Sequence, residues 1–508
     1  MSNDKAQDPV VIAIDAGTTG VRAFAIDIEG RPVGRSYREF TQHFPQPGWV
    51  EHDADEIWDT TCVVLGELHQ QLGRPVAAVG VTNQRETVVA WDRRTGRPRH
   101  RAIVWQDRRT AQRCDALTAA GELERVRRLT GLVLDPYFSG SKMEWLLGPG
   151  GVTADEDLAF GTIDSWIVWN LTGGGRHVTD PSNASRTLLY DICEHRWSEE
   201  LCDLFGVPLA SLPEVLPSAG EFGRTVQGCG LPVGTPITGI AGDQQASLFG
   251  QACVHPGMAK NTYGTGSFVL MNIGTTCPDP ARGLLTTVGW RVPASMLGVS
   301  GGDELVTHYA LEGAIFVTGA AIQWLRDGLG LIDDAAEVGP LAESVDNSAG
   351  LVVVPAFAGL GSPYWDPYAR GTVMGITRGV GRAHLARAVV ESMAYQTRDV
   401  VDAMTSVAGE HLAELRVDGG AAAMDVLLQL QADQLGVPVA RSAVSETTAL
   451  GAATLAGLGV GVWDTVDEVN QRWRADARVE PAEDRSGVDD HYAQWRRAVE
   501  RSRNWATS

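Results

Sequence analysis

The chain has 508 residues, 44% of them hydrophobic and 21% charged, an ordinary globular composition that excludes a disordered or low-complexity protein. Its 42 basic residues against 63 acidic ones leave a formal net charge of −21. Such a field repels phosphate backbones and acidic bilayers, so a general nucleic-acid or membrane-surface function is disfavoured.

The polar start, Met1 to Asp8, runs directly into an apolar segment, so no signal peptide is expected. Val10 to Asp15 reads as a buried strand by its β-branched content, Ala16 to Gly20 as a turn, and Val21 to Asp27 as a returning strand. Lysine occurs only at Lys5, Lys142 and Lys260, none of them after a glycine, so no Gly-x-x-x-x-Gly-Lys-Ser/Thr loop exists. No Gly-x-Gly-x-x-Gly occurs either. Any nucleotide must be held by another device. The turn Gly17-Thr18-Thr19-Gly20 can present backbone N–H groups to phosphate oxygens, with Arg22 in reach, and Asp15 at the strand end suits a magnesium ion that keeps its waters. A plain hairpin with glycine at positive φ is the alternative.

Val76 to Thr82 is a strand ending in Asn83-Gln84-Arg85-Glu86, the kind of edge where ligands gather in α/β sheets. Arg85 and Glu86 supply a donor and an acceptor for polyol hydroxyls, or merely a local ion pair. Ile103 to Trp105 reads as a short strand before a charged helix from about Arg108, and Tyr137 sits in the loop Asp135 to Ser139. Thr238 to Gly242 leads into Asp243 and a helix over Gln244 to Leu248; Asp243 is either an N-cap or a general base. A domain boundary is placed near Cys253.

Asn261 to Ile273 repeats the strand–turn–strand device around Gly264-Thr265-Gly266, about half the chain after the first, and suggests a duplicated architecture with a cleft. Gly350 to Phe357 is expected as a strand, Arg382 to Ser406 as an amphipathic helix, Leu415 to Asp418 as a strand and Ala421 to Leu435 as a helix after Gly419-Gly420. The uncharged stretch Thr447 to Trp463 is rich in glycine and alanine and reads as a buried helix and its exit turn, short of a bilayer span. A last helix covers about His491 to Arg503. Seven cysteines without a Cys-x-x-Cys pair argue for a reducing, cytoplasmic location without zinc or disulfide frameworks.

Taken in order, Asp15–Arg22, Gly48–Asp53, Val81–Thr87, Asp135–Gly140, Gly239–Gln245, Asn261–Gly266, Tyr309–Gly313, Pro363–Arg370 and Arg416–Gly420 resemble the FGGY carbohydrate kinase family, from about residue 10 to 500. The resemblance implies an α/β protein of two actin-like (ribonuclease H-like) ATPase domains, residues 1–253 and 254–508, with an interdomain cleft. It implies ATP with Mg²⁺, glycerol as acceptor, sn-glycerol 3-phosphate as product, no nucleic-acid partner, no membrane insertion, and a homo-oligomer, dimer or tetramer. Carried over by position, Asp243 matches the general base. Arg85, Glu86, Tyr137 and Gln244 match hydroxyl-binding residues, and Trp105 and Phe268 the apolar wall. Thr18, Thr19, Gly20, Arg22, Thr265, Gly319, Gln323, Gly420 and Met424 fall at nucleotide positions, and Asp15 and Asp243 at the metal. Gly20 stands where a serine is usual, Met424 where an asparagine is usual, and the connection Val288 to His308 is long for the family. The rival readings are another polyol or a ketopentose as acceptor, and an actin-like ATPase acting on protein partners.

Overall fold

The computed structural model describes residues 8–281 and 283–506, so residues 1–7 of the polar start lie outside the described residues. Val10–Ala16 (β1) is buried along its whole length, and Gly20–Asp27 (β2) returns antiparallel to it with Asp15 opposite Arg22. Pro32–Glu39 (β3) continues the meander, and Val76–Asn83 (β4) joins the other side of β1 in parallel. Ala219–Arg224 (β5) forms the edge beyond Pro236–Gly242 (β6), which runs parallel to β4, giving the order β5-β6-β4-β1-β2-β3.

The second half repeats this plan. Ala259–Tyr263 (β7), Ser267–Gly274 (β8), Leu285–Pro293 (β9) and Leu305–Ile315 (β10) are antiparallel neighbours. Leu415–Asp418 (β11) and Val439–Ser442 (β12) add in parallel to β7, and Ala475–Val479 (β13) closes the edge, giving the order β9-β10-β8-β7-β11-β12-β13. Inside both sheets lies one motif, three antiparallel strands followed by two parallel ones, with β9 inserted in chain order between β8 and β10 of the second sheet. The two α/β units of actin-like topology expected from the sequence are these.

Register decides where chemistry can sit. Ala16 pairs with Asn83 and Asn83 with Gly242, so three strand ends lie level. The chain leaving them, Gly17–Thr19, Gln84–Glu86 and Asp243, is therefore placed along one sheet edge. In the second sheet Thr262 pairs with Asp418, which brings the turn Gly264–Gly266 beside Gly419-Gly420.

Five helices matter to the site: Ser139–Leu147 (α1), Asp243–Gly250 (α2), Arg382–Ala408 (α3), Asp425–Leu435 (α4) and Thr447–Val460 (α5). Helix α2 leaves the first sheet and packs against β7, β8 and β9, while α5, from the second half of the chain, lies across β1, β4 and β6 and against α2. An apolar helix without a polar face needs burial all round, and α5 finds it here. The close crossing depends on missing side chains: a Cβ at Gly451 would stand 1.8 Å from the Ala246 carbonyl oxygen. Val11, Ala13, Leu248, Leu270, Ala452 and Leu455 form the apolar cluster that joins the halves.

Several expectations change. Cys193 and Cys277 form a disulfide with Cα atoms 5.6 Å apart, against the expectation of no disulfide; the other five cysteines are free. The pairing spans 84 residues and arises because the turn carrying Cys193 docks on β10, where the Tyr309 hydroxyl donates to the Ile192 carbonyl at 2.9 Å. Cysteine spacing along the chain carries no trace of that docking. The strand expected over residues 350–357 shrinks to Val352–Val354, paired with Thr372–Met374 outside the main sheets, and the one over 103–105 to Ala102–Ile103. The charged helix expected from about Arg108 starts at Ala111. The helix expected from Ala421 starts at Asp425, because Gly420–Ala423 forms a 3₁₀ turn and Met424 is extended at its N-cap. The long connection Val288 to His308 is the hairpin of β9 and β10. Among the described residues no helix is long and apolar enough to cross a membrane.

Candidate active site

Where β4 ends, Arg85 turns inward and becomes the hub of a buried charge network. Its Nε lies 3.1 Å from an Asp243 oxygen, its Nη2 donates to the Tyr137 hydroxyl at 3.3 Å, and its Nη1 donates to the Gln245 side chain at 3.3 Å. Both Nη atoms also reach Glu312 on β10, at 2.5 and 3.1 Å. Glu86 follows with φ of 63°, a left-handed conformation that costs a non-glycine residue about 1–3 kcal/mol and is found where surroundings over-determine it. Those surroundings are Arg186, whose Nε donates to the Glu86 carboxylate at 2.7 Å, and Ser139, whose hydroxyl donates to the Glu86 carbonyl at 3.0 Å.

Asp243 is the first residue of α2 rather than its cap; Gly242 holds the cap position. Its side chain keeps 31% exposure while Arg85 is 2% exposed, so Asp243 is the acidic group of this cluster that keeps contact with solvent. Burial raises the Asp243 carboxyl above the ordinary aspartate range, and Arg85, the Gln244 N–H and Lys260 pull it part of the way back. That shift moves a carboxylate toward the range useful for proton acceptance near neutral pH. Trp105 meets the Tyr137 ring edge-on at 5.5 Å and donates its indole N–H to Thr18 Oγ1 at 2.9 Å, so this wall touches both the polyol-type cluster and the first turn. Phe268 stands on β8 opposite Thr262 and Ala314, on the sheet face that also carries Lys260 and Glu312.

The first turn, Gly17–Thr19, closes with the Gly17 N–H donating to the Gly20 carbonyl at 3.0 Å. Gln84 donates to the Gly17 carbonyl at 3.0 Å and Gln42 to that of Thr18 at 2.9 Å, with His52 bridging the two glutamines at 2.7 and 3.3 Å. Arg22 lies 3.0 Å from Asp15 and 2.8 Å from Glu446. Burial pushes the Asp15 carboxyl up to about 6; Arg22 opposes this, and the charges of Asp243 and Glu446 add to it. At Gly20 the absence of a side chain has a local cause. A Cβ there would stand 2.4 Å from the Arg38 carbonyl oxygen and 2.7 Å from the Tyr37 hydroxyl, which also approaches Thr19 Oγ1 at 3.4 Å. The Arg38 backbone and the Tyr37 ring together occupy the room a serine would need.

The second turn, Gly264–Gly266, is braced by Thr318 to Ala320, whose N–H groups donate to Gly264 and Thr265 carbonyls at 3.0 Å. Beside it opens a cavity of about 590 Å³ lined by Thr265, Gly319, Gln323, Gly420 and Met424 among others. Five residues assigned to nucleotide contact thus share one chamber of a size suited to a small-molecule ligand. Thr18, Thr19, Gly20 and Arg22 belong to the other sheet edge and do not line it.

Two buried lysines went unassigned in the sequence. Lys142 on α1 is fully buried and donates to the carbonyls of Pro136, Tyr137 and Phe138 at 2.6, 2.6 and 3.1 Å, pinning the loop that carries Tyr137. Lys260 on β7 donates to the Gln244 side chain at 2.5 Å and to Thr262 Oγ1 at 2.9 Å. Burial lowers each to about 8, with nearby carboxylates resisting. Arg186 and Glu312 were also passed over. The available signal was a lone charge inside an apolar strand, as in Ala310-Leu311-Glu312-Gly313.

Family models match both halves of the chain. The N-terminal domain of the FGGY family of carbohydrate kinases matches residues 10–250, and the C-terminal domain of that family matches residues 259–460. The chain belongs to the FGGY family of carbohydrate kinases. FGGY relatives extend over its whole length: a glycerol kinase of Dechloromonas aromatica is 54% identical over 510 residues, covering 99% of each chain. Among solved FGGY structures, Plasmodium falciparum glycerol kinase with ADP superposes with a TM-score of 0.91 at 35% identity, covering 98% of each chain. A ligand-bound xylulose kinase of Lactobacillus acidophilus shares the FGGY fold with a TM-score of 0.87 at 21% identity, covering 97% of this chain and 98% of that one.

Proposed function

We propose that this protein is an ATP:glycerol 3-phosphotransferase, forming sn-glycerol 3-phosphate and ADP. The observation that carries the reading is the convergence on Arg85 of Tyr137, Glu86 and Asp243, with Asp243 the acid of the cluster that keeps solvent exposure. Relatives bearing the name glycerol kinase at 54% identity support the same substrate.

In this reading glycerol lies against Trp105 and Phe268, and its hydroxyls pair with Arg85, Glu86, Tyr137 and Gln244. Asp243 accepts the proton of the terminal hydroxyl as that oxygen bonds to the γ-phosphorus. The bond from the γ-phosphorus to the β,γ-bridging oxygen breaks, and ADP leaves. Phosphoryl transfer asks a protein chiefly for positioning and charge stabilisation. The two turns supply N–H donors, and Arg22 exchanges its carboxylate partners Asp15 and Glu446 for phosphate oxygens. Thr265, Gly319, Gln323, Gly420 and Met424 hold the remainder of the nucleotide.

The residues present also fit magnesium. Asp15 and Asp243 are near enough for one charge to raise the other, and Mg²⁺ takes one or two carboxylates together with phosphate oxygens and waters. Asp15 and Asp243 would hold the ion, which would supply neutralisation of phosphate charge. The assembly in this reading is a homodimer or homotetramer.

The test is steady-state phosphorylation with ATP over glycerol, erythritol, threitol and xylulose. Glycerol should have the highest kcat/KM, by at least about tenfold, since a polyol lengthened by one carbon must displace one of the packed aromatic walls. A higher value for any longer acceptor would assign the site to that acceptor instead, and ATP hydrolysis unaffected by every acceptor would point to a protein-directed ATPase.

A further inference from the structure

Beneath the side chains proposed to bind the polyol lies a layer closed to solvent. Glu312 and Arg186 are both 0% exposed. Glu312 uses both carboxylate oxygens: Oε2 accepts from Arg85 Nη1 at 2.5 Å, and Oε1 accepts from Arg85 Nη2 at 3.1 Å and from Arg186 Nη2 at 2.9 Å. Arg186 turns its Nε to Glu86 at 2.7 Å and lies over the rings of Tyr137 and Phe138 at 5.7 and 5.2 Å. Its Nη1 has no hydrogen-bond partner among the described residues.

Two guanidinium groups in contact with one carboxylate form an arrangement that repels itself without that carboxylate. Burial alone would raise the Glu312 carboxyl, yet Arg186 and Arg85 overcome it and hold the group ionised at about 2. A bidentate carboxylate also fixes the plane of a guanidinium, which a single hydrogen bond does not. With both Nη atoms of Arg85 held from below, its Nε edge is left facing Asp243. Arg186 adds a single hydrogen bond to the Glu86 carboxylate, at a residue whose left-handed backbone needs an external restraint.

The position of Glu312 in the chain adds a second consequence. It belongs to β10, in the second sheet, whereas Arg85, Arg186, Glu86 and Asp243 belong to the first half. Beyond Ile315, where β10 ends, the chain passes directly to Thr318 and Gly319, which brace the second turn beside the nucleotide chamber. One short stretch of backbone therefore runs from beneath the acceptor cluster to the phosphate-binding turn.

We propose that Glu312, acting with Arg186, is a positioning residue that fixes Arg85 and Glu86 and thereby sets the register between the acceptor hydroxyl and the phosphoryl donor. The proposal rests on the glycerol-phosphorylating reading given above. Neither residue needs to meet glycerol. Their effect passes through Arg85 to Asp243 and through Glu86 to the acceptor, and a displacement near 1 Å in such a chain is enough to cost about 100-fold in rate.

The experiment is Glu312→Gln in the full chain, with folding checked by circular dichroism, ADP affinity by calorimetry, and kcat and KM by coupled assay. The expected result is a KM for glycerol raised about tenfold and a kcat lowered about 100-fold, with ADP affinity within about twofold of the parent. Where Glu312→Gln does not fold, Arg186→Lys carries the test with the same thresholds. It keeps the charge and leaves Arg85 paired with Glu312, but it cannot bond Glu86 and Glu312 with one planar fork. A folded variant with kcat and glycerol KM within about twofold of the parent overturns the proposal. So does a loss of ADP affinity equal to the loss for glycerol, since that marks a merely structural role. A parent protein that fails to phosphorylate glycerol would instead overturn the reading on which the proposal rests.

Discussion

Asp243→Asn should fold, bind glycerol within a few-fold of the parent, and lose about 10²–10⁴-fold in kcat, the range a general base contributes. Asparagine keeps the size of aspartate and can still accept from the Gln244 N–H, which the carboxylate now does at 2.7 Å. What it cannot do is take a proton. The neutral amide also loses the charge interaction with Arg85 at 3.1 Å, but Arg85 remains anchored by Glu312 at 2.5 and 3.1 Å, so the binding cluster survives. This separates two roles. If Asp243 only orients Arg85, the substitution raises the KM for glycerol and spares kcat. If it accepts the proton, kcat falls and binding is spared. Steady-state kinetics beside glycerol titration calorimetry distinguishes them, and a kcat within tenfold of the parent would remove Asp243 from the chemistry.

Gly451→Ala should destabilise the protein by about 3 kcal/mol or more, although alanine is the better helix former by about 1 kcal/mol. The geometry decides the sign. The added Cβ would stand 1.8 Å from the Ala246 carbonyl oxygen and 2.7 Å from its carbon, both backbone atoms of α2 that no rotamer change can move. The two helices must separate, and they are the ones that join the halves through Leu248, Ala452 and Leu455. In a domain of this size a loss of that order lowers the midpoint of thermal unfolding by roughly 6–12 °C. Because α2 begins at Asp243, activity should fall as well. Calorimetry of the variant checks the first expectation, and an unchanged midpoint would mean the helices slide past each other without cost.

The hairpins were legible because glycine and threonine interrupt β-branched runs there, a local signal that tertiary packing did not override. Asp243 stood out as the one acid between a small-residue strand and a helix, and its side chain keeps partial exposure. Glu312 and Arg186 were not legible as partners, since each is a single charge whose meaning depends on a residue more than a hundred positions away. Lys142 and Lys260 left a faint trace: in a chain with three lysines, each one asks for a reason. The Cys193–Cys277 bond left none, because docking of one half on the other creates it. Gly20 reads as a missing serine in the sequence, and the fold gives the cause in the close approach of the Arg38 carbonyl and the Tyr37 ring.

Glycerol is prochiral, so its two terminal hydroxyls can be told apart only by a site that holds the molecule at three or more distinct points. In the proposed reading, Tyr137, Arg85, Glu86 and Asp243 around one acceptor amount to such a site. The most direct measurement is therefore the handedness of the product formed from MgATP and glycerol, read with a dehydrogenase specific for one enantiomer against total glycerol phosphate. The account predicts that all of it is sn-glycerol 3-phosphate. A racemic product, or ADP release without any glycerol phosphate, would contradict it.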